Sequence, residues 1–334
     1  MRKTCYFAVC IGLATMVTAA VNSVQAADDT QEQQLIAVLT SADSSQAEKA
    51  ITCKKLAVFG SQDAVPALAA LLEDQQLISW ARIALEAIPG AEADTALREA
   101  LGSLKGRSLI GVINSIAVRR DAAAVPALIE RLKDKDPQIA AAAAVALGKI
   151  GNEPATKALR QALASVPAAV PSAVAEGCIY AAERLMADGK TGDAAAVYEQ
   201  VRKAKVPKQR VIEATRGAIL AQGSKGIPLL VEQLRSQDKK LFQIGLMTAR
   251  ELPGKEVADA VAAEMAQATP ERGALLLLVL ADRGDVTASP AIMKVALSGA
   301  KPTRIAAIRV LASSGSAAIV PTLFEIAADQ DQEI

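Results

Sequence analysis

Asn114, Arg119 and Arg120 are the most chemically suggestive group in this 334-residue sequence. An amide beside two guanidinium groups can hold a carboxylate, or the backbone of a bound chain, through directed N–H donors. The same residues also suit a structural duty: the asparagine would bond to a neighbouring element and the arginines would complement a helix C-terminus. Other chemistry finds little footing. The chain has no histidine, which removes the commonest general base and histidine-dependent zinc or iron sites. No Gly-rich phosphate loop follows a strand, and most carboxylates sit where helix capping explains them. No catalytic, cofactor-binding or metal-binding set is assigned, so the chain as given reads as non-enzymatic.

The elements that hold such residues follow from composition and period. Hydrophobic residues make up 51% of the chain and aromatics only 2%, which favours close helix packing over sheet. "AVPAL" occurs at 64–68 and again at 124–128, with relatives "GIPLL" at 226, "ASPAI" at 288 and "IVPTL" at 319. Their prolines, at 66, 126, 228, 290 and 321, are spaced as multiples of about 31 to 34 residues, the mark of a helical repeat. The apolar residue two places after each proline position continues the series: Leu68, Leu97, Leu128, Leu159, Val197, Leu230, Val261, Ile292 and Leu323. A second register of glycines runs through 60, 90, 151, 189, 223, 254, 284 and 315, with Arg120 standing where one is expected. Each unit therefore predicts a hairpin. A first helix, A, carries proline in its opening turn, an acidic turn such as "KDKDPQ" caps the second helix, and that helix, B, ends at the glycine.

Aligned on that glycine, the B helices separate into columns. Four residues before it stand Leu56, Ile116, Leu147, Ile219, Leu280 and Leu311, with Glu86 and Arg250 as exceptions; seven before it stand Cys53, Ile83, Ile113, Ala144, Met247, Leu277 and Ile308, with Arg216 the exception. Both columns are expected to be buried. Trp80 is expected to pack, since Ile110, Ala141 and Ile305 share its column. The six-before column varies: Lys54, Ala84, Asn114, Val145, Gly217, Thr248, Leu278 and Arg309. That variation marks it as a solvent-facing inner surface. Its polar members Lys54, Asn114, Thr248 and Arg309, with Arg119 and Arg120, are the candidate partner-binding residues. Arg202, Lys203, Lys205, Lys208 and Arg210 form a basic cluster that suits a solvated loop.

"LKDKDPQIAAAAAVALGKIG", residues 132–151, resembles the short HEAT-like repeat, departing from it where Ala140 replaces the usual arginine. "RLMADGKTGDAAAVYEQV" resembles the turn and second helix of a tetratricopeptide hairpin. "SWARIALEAIPG" and "GVINSIAVRRD" resemble the amino-terminal HEAT region of large secreted proteins from planctomycete and verrucomicrobial-type bacteria. The first resemblance implies an all-α solenoid of about nine HEAT-like hairpins, with one tetratricopeptide-like unit in the middle. The expected divisions are a signal peptide at 1–26, HEAT-like repeats at 27–171, longer tetratricopeptide-like hairpins at 172–222, and HEAT-like repeats at 223–334 with the last incomplete. Function would then be a groove binding a protein segment, or an attached domain of the same polypeptide. The third resemblance implies an alternative: the arm of a larger secreted enzyme, a sugar-active jelly-roll hydrolase or a dehydrogenase or c-type cytochrome. Among HEAT-type enzymes, deoxyhypusine hydroxylases use His-Glu pairs on iron, which the lack of histidine excludes. Helical-repeat alkylpurine glycosylases need a basic, aromatic concave face that this chain lacks. Composition leaves HEAT-like bilin lyases open, and no residue set here can be assigned to that chemistry.

The two ends carry further expectations. Arg2 and Lys3, an apolar run from Phe7 to Val21, and Val24-Gln25-Ala26 have the form of a secretory signal cleaved after Ala26. The run is shorter than the ~20 residues a bilayer span needs, so the expected location is secreted or periplasmic, without a membrane span. Removing residues 1–26 leaves 35 basic and 36 acidic residues, a balance with no general attraction for nucleic acid. The closing "ADQDQEI" aligns with "KDKDPQI" at 133–139 and reads as an inter-helix turn, with a B helix expected beyond it.

Overall fold

The computed structural model describes residues 30–165, 170–283, 290–314 and 319–328. The expected signal peptide, the glycines at 284 and 315 and the closing turn at 329–334 lie outside the described residues. Among those residues the secondary structure is α-helical with short 3-10 turns, and there is no strand. The chain divides at Leu159 and Arg160 into two compact units.

In the first unit, helix α1 spans residues 30–40. It is followed by α2 (Gln46–Phe59), α3 (Val65–Ala70), α4 (Ile78–Ala87), α5 (Ala91–Ser103), α6 (Gly106–Arg119), α7 (Val125–Arg131) and α8 (Pro137–Ile150). Helix α9 (Glu153–Ala164) runs across the division. The second unit continues with α10 (Pro171–Ala187), α11 (Thr191–Lys203), α12 (Lys208–Gln222), α13 (Ile227–Arg235), α14 (Lys239–Glu251) and α15 (Lys255–Met265). It ends with α16 (Pro270–Arg283), α17 (Pro290–Ser298), α18 (Lys301–Ser314) and α19 (Val320–Ile326).

Each unit is a stack of hairpins. In the first, α3 packs on α4, α5 on α6 and α7 on α8, while the B helices α2, α4, α6 and α8 pack on one another in order. In the second, α11, α13, α15 and α17 pair with α12, α14, α16 and α18, and α10, α12, α14, α16 and α18 form the B layer. The predicted A-helix column is the core. Leu68, Leu97, Leu128, Leu159, Leu230, Val261 and Ile292 are fully buried, each contributing about 1.5–3 kcal/mol relative to exposure.

Local chemistry sets the boundaries. Pro66, Pro126 and Pro228 sit in the first turn of α3, α7 and α13, where a missing N–H removes no helical bond. The acidic turns cap as expected: Asp136 accepts from Gln138 N, and Asp238 from Lys240 N and Leu241 N. Arg120 adopts the left-handed conformation at φ 56° that ends α6, a geometry glycine reaches more cheaply. Cys53 and Cys178 are both free and buried. Burial pushes the Cys53 thiol up to about 11 and the Cys178 thiol to about 12, so neither is a ready thiolate.

A candidate interaction face on the B helices

Two units break the glycine alignment, and the reason is covalent. Helix α4 ends before Ile88-Pro89-Gly90 and α14 before Leu252-Pro253-Gly254. A residue before proline is driven out of helical conformation, and Ile88 and Leu252 are extended at ψ 123° and 116°. Two residues, Ile88-Pro89 or Leu252-Pro253, therefore stand between helix and glycine where α2, α8 and α12 have none, and the buried face of these two helices lies one place further from the glycine. With that shift the four-before column reads Leu56, Leu85, Ile116, Leu147, Ile219, Ala249, Leu280 and Leu311, and all eight are fully buried. Glu86 and Arg250, the two exceptions, were one place out of register.

The same shift corrects the expectations for four residues. Ile83 and Met247, expected in the core, are 45% and 47% exposed. Thr248, expected to face solvent, is fully buried and donates its hydroxyl to Ile244 O at 2.7 Å, so it leaves the candidate surface. Trp80, expected to pack, is 44% exposed.

Arg119 also belongs to the scaffold. Its guanidinium lies in the hollow left by the Pro89 chain end. It donates through Nη1 to Leu85 O (2.9 Å), Glu86 O (3.2 Å) and Ile88 O (2.5 Å), and through Nη2 to Gly90 O (2.8 Å); Nε pairs with Asp94. These carbonyls are the orphan acceptors of a helix C-terminus. Arg283 repeats the arrangement on Ala249 O, Leu252 O and Gly254 O. In both cases the arginine follows the proline of the preceding unit by thirty residues, Pro89 to Arg119 and Pro253 to Arg283. That spacing was a readable signal.

The exposed residues form a pattern. Lys54, Asn114 and Arg309 are exposed on α2, α6 and α18, and Arg120 is exposed just beyond α6. In the first unit, every large apolar residue that is exposed among the described residues lies on a B helix. They are Ile51, Val58 and Phe59 of α2, Trp80 and Ile83 of α4, and Val118 of α6. Because α2, α4 and α6 are consecutive in the B layer, these side chains share one face. Lys54 and Asn114 lie within it, in the register of Ile83. In the second unit Met247 of α14 and Leu275 and Leu278 of α16 hold the same positions. Helix-register reading missed Ile83 and Met247 because it took the glycine, rather than the proline, as the helix end.

The basic cluster at 202–210, expected as a solvated loop, lies mainly on α11 and α12; Lys205 is exposed between them, and the other four members are paired. Arg202 pairs with Glu199, Lys203 with Glu199, Lys208 with Asp238, and Arg210 with Glu176 and Glu213. Among the described residues no group of three metal-ligating side chains converges, and no helix is long and apolar enough to cross a membrane.

Three of the solved structures similar to this chain illustrate the likeness. Human deoxyhypusine hydroxylase in complex with glycerol is 17% identical with a TM-score of 0.34, covering 76% of this chain and 96% of that one. The complex of CpcE and CpcF of phycocyanin lyase from Nostoc sp. PCC7120 is 20% identical with a TM-score of 0.32, covering 85% and 94%. An engineered protein is 22% identical with a TM-score of 0.36, covering 90% and 84%. Comparison with curated proteins finds no match. Residues 107–178, from α6 into α10, match the family of HEAT repeats, and the fold is an all-α solenoid of HEAT-like repeats.

Proposed function

We propose that this chain is a non-catalytic, exported scaffold that holds an apolar segment of a partner protein on the B-helix face of its first unit. One observation carries the reading: the exposed large apolar side chains of that unit gather on three consecutive B helices and nowhere else among its described residues. Contiguous apolar surface on a soluble protein marks an interaction site, and stacked repeats offer such faces to extended or helical segments. Trp80 supplies the aromatic anchor on which binding energy tends to concentrate. Lys54, Asn114 and Arg120 supply polar contacts among and beside the apolar ones, and favour acidic groups flanking the partner's apolar residues. Export rests on the basic start, apolar run and small-residue pattern of residues 1–26.

Trp80→Glu combined with Ile83→Glu tests the reading. Both side chains are exposed, so the unfolding midpoint should stay close to wild type. Partners recovered from periplasmic extract by the wild-type chain should be lost. Retention of the same partners by the folded double variant would contradict the face.

A further inference from the structure

A cavity of about 260 Å³ opens on the second unit between α10, α11, α12 and α14. Two tyrosines, Tyr180 and Tyr198, line it, together with Glu183, Glu213, Arg210 and Arg216. Arginines in a cavity suggest an anion site, and here the pairing argues against one. Arg210 spends its three nitrogens on Glu213 at 2.8 Å, on Glu176 and on Ser172 at 3.4 Å. Arg216 grips both carboxylate oxygens of Glu251, with Nε at 3.2 Å.

Four carboxylates thus face two guanidinium groups, and both guanidiniums are already matched. Glu183 is left with only the longer-range attraction of Arg216. Glu183 reaches solvent at the cavity mouth, yet partial desolvation raises its pKa, Arg216 opposes the rise and Glu213 adds to it, as expected for a carboxylate without a close cation. Burial likewise raises the pKa of both phenols, so the tyrosines in the cavity wall are neutral, and a neutral ring beside a carboxylate is a surrounding that attracts a cation. Tyr198 is fixed in the wall because it lies on Gly217, where an added Cβ would meet the ring at 2.3 Å.

We propose that this cavity is a binding site for the side-chain cation of a lysine or arginine, seated against Glu183 and the two tyrosine rings. The site lies in the second unit and goes beyond the apolar face of the first, so either can fail alone. A partner using both would place an apolar segment on one unit and a basic residue on the other.

The test uses N-acetyl-lysine N-methylamide and N-acetyl-arginine N-methylamide as probes, with the uncharged norleucine analogue as control, observed through the NMR ring signals of Tyr180 and Tyr198. Saturable shifts are expected with one or both cationic probes and not with norleucine. Glu183→Gln, a substitution of a solvent-accessible side chain that leaves packing intact, should weaken binding roughly fivefold or more. Glu99→Gln, an equal charge change on α5, should leave it unaltered. Equal response to norleucine, no response to either cation, or unaltered affinity in folded Glu183→Gln would each overturn the assignment. Trp80→Glu with Ile83→Glu should bind the probes normally, which separates this site from the apolar face.

Discussion

Arg119→Ala should lower stability by about 3–5 kcal/mol, far more than expected for a substitution at a residue that reads as a surface arginine. The side chain satisfies four backbone carbonyls of the preceding repeat and pairs with Asp94. Its loss leaves three part-buried carbonyls and the Asp94 carboxylate without this donor, each at a cost in desolvation. Lysine at the same place should recover only part of the loss, because one ammonium cannot match the span of a planar guanidinium. Arg120→Ala is the internal control. Arg120 is exposed and left-handed in either variant, so stability should change by less than about 0.5 kcal/mol. Urea unfolding of the three variants checks the ordering. Equal midpoints for Arg119→Ala and Arg120→Ala would show that the carbonyl cap contributes nothing.

Gly217→Ala should destabilise although it improves a helix. Alanine in a helix interior is favoured over glycine by about 0.8–1 kcal/mol, and Gly217 lies inside α12. The new methyl would sit 2.3–2.7 Å from three ring carbons of Tyr198, and overpacking of this kind costs typically 1–3 kcal/mol. Tyr198 is itself buried, so the ring cannot swing into solvent without losing its own contacts. Steric cost therefore exceeds propensity gain, and the ring displacement should also close the cavity. Gly102→Ala isolates the propensity effect. Nothing lies within 4 Å of a Cβ there, and that variant should gain up to about 1 kcal/mol. Thermal unfolding distinguishes the two signs, and a stabilised Gly217→Ala would mean that Tyr198 yields without cost.

Much of this architecture was legible in the chain. The proline and glycine registers placed the hairpins, and Leu68, Leu97 and Leu128 occupy the core they were expected to fill. Arg120 in the glycine register does take the left-handed turn. The exposed apolar face of the B helices was less legible, for a specific physical reason. Glycine marks the end of a turn, whereas Pro89 and Pro253 end the helix sooner. Columns counted back from glycine then placed Ile83 and Met247 inside and Thr248 outside, the reverse of what is found. Glu86 and Arg250, charged residues in a column of leucines, carried the warning. Arg119 was legible only as one of two alternatives, since its acceptors belong to a helix end 29 to 34 residues away. The cation cavity depends on which carboxylate each arginine reaches, and those pairings span up to 35 residues.

The interaction face is tested most directly by site-specific photo-crosslinking. A benzophenone side chain replacing Ile83, on the B face, should capture a discrete protein partner in periplasmic extract, and an unlabelled excess of the scaffold should compete it away. The same group replacing Glu99, exposed on the A helix α5, should capture none. Capture from position 99 with none from position 83 would contradict the assignment of binding to the B helices.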